Sequence, residues 1–242
     1  MDYTKLRVFF WLSVAGSAAS LLSVMLPKYR LYGVLGLVVL VPSALFLEAW
    51  TGLLSVIRSG MHRFYRSFPV VGNHSVFDTV KLEYCYLGIS FDTVFSQFED
   101  WYRFRRPLNV KIRLLLLDPA PEADDIARFQ VAHQVGAAGN AAELAAMTRR
   151  RVEDRVGELM ALPQASHLIE IRFHRQTLRH WMHLIDGKWA WTGLLPKGKP
   201  GIEAPIMVLK RRPEEWTLLD LYQEEFEALW EASRKPALAS GA

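Results

Sequence analysis

The chain has 242 residues, 51% of them hydrophobic, and its 29 Lys and Arg against 25 Asp and Glu give a formal charge of +4. Five cations (Lys5, Arg7, Lys28, Arg30, Arg58) against two acids (Asp2, Glu48) place +3 of that charge before residue 61, so the basic excess flanks an apolar segment and does not mark a nucleic-acid surface. Cys85 is the single cysteine, which excludes an intrachain disulfide and fits a reducing compartment.

Val8 to Pro27 carries no charge, Leu31 to Leu47 carries none, and after Glu48 the apolar run continues to Ile57. A bilayer core needs roughly 20 apolar residues in a helix. The pattern predicts two transmembrane helices over residues 1–60, antiparallel because only Pro27-Lys28-Tyr29-Arg30 separates them. The first run is too long for an ordinary signal peptide and ends in no small-residue cleavage site. Arg58, Arg63 and Arg66 outnumber the cations of the short turn, which puts both termini and the large domain in the cytoplasm of a multi-pass inner-membrane protein. Gly16 and Ser20 form a small-xxx-small pair on the first helix, suited to close packing within the hairpin or between subunits of a homo-oligomer. Glu48 sits either at the interface or, deeper, where an oligomer could line a pore with it.

Residues 61–75 read as a basic-aromatic linker at headgroup level, with anionic lipid as one partner. Residues 76–235 read as a cytosolic α/β domain and 236–242 as a loose tail. Val80 to Ser90 alternates as a strand, and Val94, Phe95, Phe98, Trp101 and Tyr102 give Asp92 to Phe104 helical spacing. Val110 to Leu117 is a buried strand ending at the turn pair Asp118-Pro119. Asn140 and Glu143 resemble a capping box opening a helix to about Leu162. Leu168 to Phe173 is a short strand. Leu178 to Ile185, Asp186-Gly187 and Lys188 to Thr192 form a hairpin. Pro205 to Lys210 is a further strand, and Pro213 to Ser233 a closing amphipathic helix. Strands alternating with helices predict a mixed sheet of the α/β class.

The usual motifs of metal, nucleotide and serine-nucleophile chemistry do not occur, and no cofactor is expected. His174, His180 and His183 cluster in sequence, but the two-residue strand period sends His180 and His183 to opposite faces. Gly88, Ser90 and Asp118 lie where predicted strands end, the edge at which open α/β sheets bind ligands. Ser90 or Asp92 can equally be a helix cap. Arg149, Arg150 and Arg151 make a charged helix face.

The segment from Arg179 to Gly193 resembles the catalytic hairpin of the phospholipase D superfamily, whose motif reads H-x-K-x-x-x-x-D-G, then an apolar strand, then G-S-x-N. Asp186, Gly187 and Gly193 match in spacing. Arg179 stands where the motif has His, Trp181 where it has Lys, and Leu194 and Leu195 follow the glycine in place of small polar residues. The superfamily's enzymes pair two such motifs, and this chain offers one. The resemblance runs in order of elements over Lys81 to Trp230. It implies a phospholipase D-like fold without standard phosphodiester cleavage.

Arg179, Trp181 and His183 share a strand face, and Lys197 and Lys199 follow the hairpin, so with Asp186 they are candidates for a pocket taking a phosphate-bearing ligand. The alternative is that Arg179 and Asp186 pair structurally while the lysines are solvated. Short two-helix anchors on a non-catalytic domain of this kind resemble bacterial anti-phage membrane effectors. That resemblance implies an effector that senses a nucleotide signal or a defence-system partner protein and disrupts the bilayer as an oligomer. The alternatives are a membrane-bound phosphodiesterase or phospholipid-processing enzyme, and a membrane-tethered partner-binding module.

Overall fold

A computed structural model of the chain describes residues 42, 43, 46, 50–52, 54–66, 74–135, 140–195 and 203–235. The predicted membrane spans fall outside the described residues except for helical positions between 42 and 58. Gly16, Ser20, Glu48, Lys197, Lys199 and the 236–242 tail are outside them too. Among the described residues, no helix is long and apolar enough to cross a membrane. The chain divides into two units, Met1–Arg58 and Ser59–Ala242.

The second unit is a mixed α/β domain built on one seven-stranded sheet. In chain order its elements are β1 (Met61–Tyr65), α1 (His74–Asp78), β2 (Glu83–Leu87), α2 (Asp92–Phe104), β3 (Lys111–Leu117), α3 (Asp124–Val135), α4 (Ala141–Met160), α5 (Ala165–Leu168), β4 (Ile169–His174), β5 (His180–Ile185), β6 (Trp189–Leu194), β7 (Ile206–Lys210) and α6 (Leu218–Ala232). The strand order is β1-β7-β6-β5-β2-β3-β4. β2, β3 and β4 run parallel, and every other pairing is antiparallel.

The strand-to-strand register fixes which side chains share a face. Tyr84 packs by its ring against Phe77 of α1 and against Phe98 and Trp101 of α2. Cys85 and its neighbour Arg113 face the other way, toward α6, where the Arg113 guanidinium lies over the rings of Phe226 and Trp230. A sheet covered on both faces explains why β3 is buried along Ile112–Leu117 and reads as a nearly continuous apolar run. Arg113 is tolerated there because Glu227 takes both terminal nitrogens at 2.6 Å and Glu83 lies 3.1 Å from its Nε.

Asp186 (φ 53°) and Gly187 (φ 59°) are both left-handed, as a two-residue turn between twisted strands requires. Asp tolerates that region better than most residues because its side chain can bond locally. Thr217 opens α6: its N–H donates to Asp220 Oδ2 at 2.8 Å and its hydroxyl to the same oxygen at 2.7 Å. That cap starts the helix at Leu218, five residues later than the apolar spacing suggests.

Part of the linker is reassigned. Met61–Tyr65, assigned to the linker from sequence, is an edge strand paired with β7. Tyr65 stacks on Trp191 at 6.0 Å and 11°, and a bulge follows Met61. Its partner lies about 140 residues away, so local composition carries no sign of the pairing.

Candidate functional site

The C-terminal ends of β2 and β3, where the sequence places Gly88, Ser90 and Asp118, come together, and β4 ends beside them. Gly88 N–H donates to Leu115 O, Leu117 N–H to Ile89 O, and Asp118 N–H to His174 O. Gly88 is required there because a Cβ would collide with the Tyr86 ring. Ser90 donates to Asp92 at 2.8 Å, and Asp92 is held by Arg155 of α4 at 2.9–3.0 Å. Phe91, left-handed at φ 65°, is the residue preceding α2, so neither Ser90 nor Asp92 takes the cap position itself.

Asp118 is fully buried, and its carboxylate is already engaged. It accepts from Ala120 N–H at 3.0 Å, Arg175 Nε at 2.7 Å and Arg234 Nε at 2.8 Å, with a further short bond from Arg234 Nη2. Burial pushes the carboxyl up, but the bonds from Arg234, Arg175 and Ala120 outweigh it and hold the group at about 2. Asp118 thus ties the end of α6 to the sheet, beside the backbone bridge between Phe173 and Arg234. Arg175 was findable, since it directly follows a strand end at the binding edge. Arg234 is 116 residues from Asp118 and gives no local signal.

The hairpin residues scatter. Asp186 lies at the opposite edge of the sheet from Gly88 and Asp118, beside the start of β2. Its Oδ1 accepts the N–H groups of Leu82 at 2.8 Å and Glu83 at 2.9 Å, and Lys81 N–H reaches Oδ2 at 3.1 Å. Arg179 stands before β5 at the other edge, so the structural pairing of Arg179 with Asp186 does not form. Arg179 is exposed, and its side chain has no partner among the described residues.

His183 is in the core, 1% exposed. Its Nδ1 lies 2.6 Å from the Tyr84 hydroxyl, and the rings of Tyr84, Tyr86 and Trp181 surround it. Burial lowers its pKa from 6.5 to about 3, so it sits neutral. His174 is similarly buried, 3.3 Å from Gly88 O, and burial lowers it to about 4. His180 points to the α6 face as the strand period predicts, against Tyr222 and 3.3 Å from Glu225. Trp181 lies over Gly193, where any Cβ would strike its indole. No group of His, Cys, Asp and Glu among the described residues could hold a metal ion. Arg149 of the basic run is paired, 3.0 Å from Asp124.

A family profile described as a domain of unknown function, DUF5919, matches residues 69–237. The chain belongs to this family. The DUF5919 region takes in every element from α1 to α6 and leaves out the edge strand β1. No curated protein matches the chain. Among solved structures it is similar to TrmBL2, an archaeal chromatin protein described as showing a novel mode of DNA binding, at 11% identity and a TM-score of 0.42, over 80% of this chain and 62% of that one. The chain therefore spans less than two thirds of that protein's length. It is also similar to the phospholipase D family member Nuc from Salmonella typhimurium, at 13% identity and a TM-score of 0.34, over 66% of this chain and 86% of Nuc.

Proposed function

We propose that the chain is a membrane-tethered effector whose DUF5919 region is a non-hydrolytic, phospholipase D-like domain that receives a signal, while the two apolar N-terminal runs act on the bilayer. The observation carrying this reading is the use to which the motif positions are put. Arg179 and Trp181 replace the motif's nucleophile and its cation, and Trp181 is packed on Gly193. Asp186 holds three backbone N–H groups at the head of β2. His183 is in a ring-lined core without access to substrate, and His180 lies on the opposite face against Tyr222 and Glu225. Each polar group of the hairpin that a hydrolase would need is absent or serves the architecture. The order of strands and the Asp-Gly hairpin support kinship with the phospholipase D fold.

The output then falls to the first sixty residues. Two charge-free runs of membrane-spanning length, with Gly16 and Ser20 four residues apart in the first and Glu48 directly after the second, suit helices that associate and open a conductive path. An anti-phage system, in which a nucleotide or a partner protein triggers oligomerisation, is the setting that this arrangement fits. Arg179, exposed and free of a carboxylate partner among the described residues, is one cation available to an anionic signal. The test is dye release from liposomes carrying the reconstituted full chain. Release that Gly16→Leu or Ser20→Leu suppresses supports the proposal. Vesicles that stay sealed at every protein density, or phospholipid hydrolysis abolished by His180→Ala, would overturn it.

A further inference from the structure

The sheet has two edges, and only one of them receives the chain from residue 58. A continuous run of backbone hydrogen bonds marks that edge. Lys210 N–H donates to Gly60 O, Arg211 N–H to Lys188 O, Asp186 N–H to Glu83 O, and Lys111 N–H to Leu82 O. Gly60, Lys210, Lys188, Asp186, Lys81 and Leu82 therefore follow one another along it. Gly60 is only three residues beyond Ile57, where the apolar run ends.

Two kinds of side chain protrude there. The first is large and apolar: Leu108 is 86% exposed, Phe104 79%, Leu82 67% and Trp216 63%. Phe104 is the last residue of α2, and Leu108 comes from the connection that leads on to β3. Trp216 comes from the loop after β7, whose end is pinned where Leu218 N–H meets Ser59 O at 2.9 Å. The second is cationic. Lys81, Lys188 and Lys210 are exposed, and none has a carboxylate partner among the described residues. Lys210 lies over the Trp189 ring at 5.1 Å. Most acids of this edge are already engaged: Asp186 by backbone N–H groups, Asp78 by Arg105 at 2.6 Å, Asp220 by Arg211 at 2.8 Å and Glu83 by Arg113 at 3.1 Å. Beside Trp216, Glu215 lies 4.0 Å from Arg212, and Glu214 opposes the lysines.

We propose that this edge docks on an anionic lipid surface, with Leu82, Phe104, Leu108 and Trp216 entering the headgroup layer and Lys81, Lys188 and Lys210 meeting lipid phosphates. Exposed apolar residues of this size at an edge that also carries exposed lysines match the two components of interfacial binding, buried apolar area and attraction to anionic lipid. The apolar run ends three residues before Gly60 in sequence, which commits the occupant to a bilayer. The proposal rests on the membrane tether put forward above. Docking would hold the domain against the membrane until a signal or a neighbour displaces it.

Cys85 is buried and is the only native cysteine, so Leu108→Cys gives one accessible site for a polarity-sensitive fluorophore, and Phe104→Cys a second. The labelled full chain is reconstituted into phosphatidylcholine vesicles with or without phosphatidylglycerol. The expected result is blue-shifted emission and protection from iodide only with the anionic lipid. A label at Gln176→Cys, beyond the end of β4 at the opposite edge, stays quenchable in both. Changing Lys81, Lys188 and Lys210 to Gln should lower the docked-to-undocked ratio by roughly fivefold per charge, and high salt should act the same way. Equal quenching at 108 with and without anionic lipid overturns the proposal. So does protection that persists in detergent, which would mean that a second copy covers the edge. A carbonate wash separates the two claims: a chain released by carbonate yet protected at 108 refutes the tether and keeps the docking. A chain retained but unprotected refutes the docking and keeps the tether.

Discussion

Acidification from pH 7.5 to pH 5 is expected to weaken the folded domain by about 4 kcal/mol, through two histidines that the core keeps neutral. Burial lowers His183 from 6.5 to about 3 and His174 from 6.5 to about 4. Between those values and 6.5 the unfolded chain takes up a proton that the folded chain refuses. The stabilisation is therefore complete above pH 6.5 and is lost as the pH falls toward the folded-state values. At pH 5 each ring is 1.5 units below its unfolded value, which at about 1.36 kcal/mol per unit gives about 2 kcal/mol each. Both rings are 1–2% exposed, so solvent screening takes little from the figure. A domain with a typical reserve of about 5–15 kcal/mol loses a large share of it. Denaturant unfolding of the full chain in mild detergent, followed by tryptophan fluorescence and far-ultraviolet circular dichroism, reads the slope. His183→Gln, which cannot take up a proton, should cut that slope to about half. A flat profile from pH 7.5 to 5, or an unchanged slope in His183→Gln, would refute the assignment of His183 to the core and reopen a reactive role for it.

Three further outcomes follow from the same contacts. Asp118→Asn should cost about 2 kcal/mol, the worth of moving the carboxyl from 3.8 to about 2, with faster amide exchange at Phe173 and Arg234; in the native chain this contribution is present above pH 3.8 and vanishes as the pH falls through about 2. Asp186→Ala should cost about 1–3 kcal/mol, because three N–H groups lose their acceptor and Ala resists the left-handed backbone, whereas Asp186→Asn should cost less; thermal melts decide it. Gly193→Ala should destabilise by about 1–3 kcal/mol through collision with Trp181, and the penalty should disappear in a Trp181→Ala background, so additive losses in that double-mutant cycle would show that the two residues do not touch.

What the sequence made legible was whatever short-range chemistry decides. The β5–β6 hairpin follows from Asp186-Gly187, and α2 forms over the residues its apolar spacing marks. β3 begins one residue later than its apolar run. What escaped depends on distant partners. β1 exists because β7 offers an edge, and nothing in MHRFY announces that. α3 escapes because its apolar residues do not line one face, although Asp124 and Asp125 in its first turn were a usable start signal. The candidate site divides in the same way. Gly88, Ser90 and Asp118 meet at the predicted edge because parallel strands end together. His183 and Asp186 do not join them, because period and spacing give a residue's face but not its depth or its end of the strand. Asp118 looked like a ligand group because its partner Arg234 arrives from the far end of the chain.

The proposed target is the bilayer, not a phosphodiester bond. The most direct measurement is the membrane potential of cells expressing the full chain, before and after clustering through an inducible oligomerisation tag on the C-terminus. Clustering should depolarise the membrane, and Gly16→Leu should weaken the effect. A potential that holds in both states, with the chain present in the membrane fraction, would contradict it.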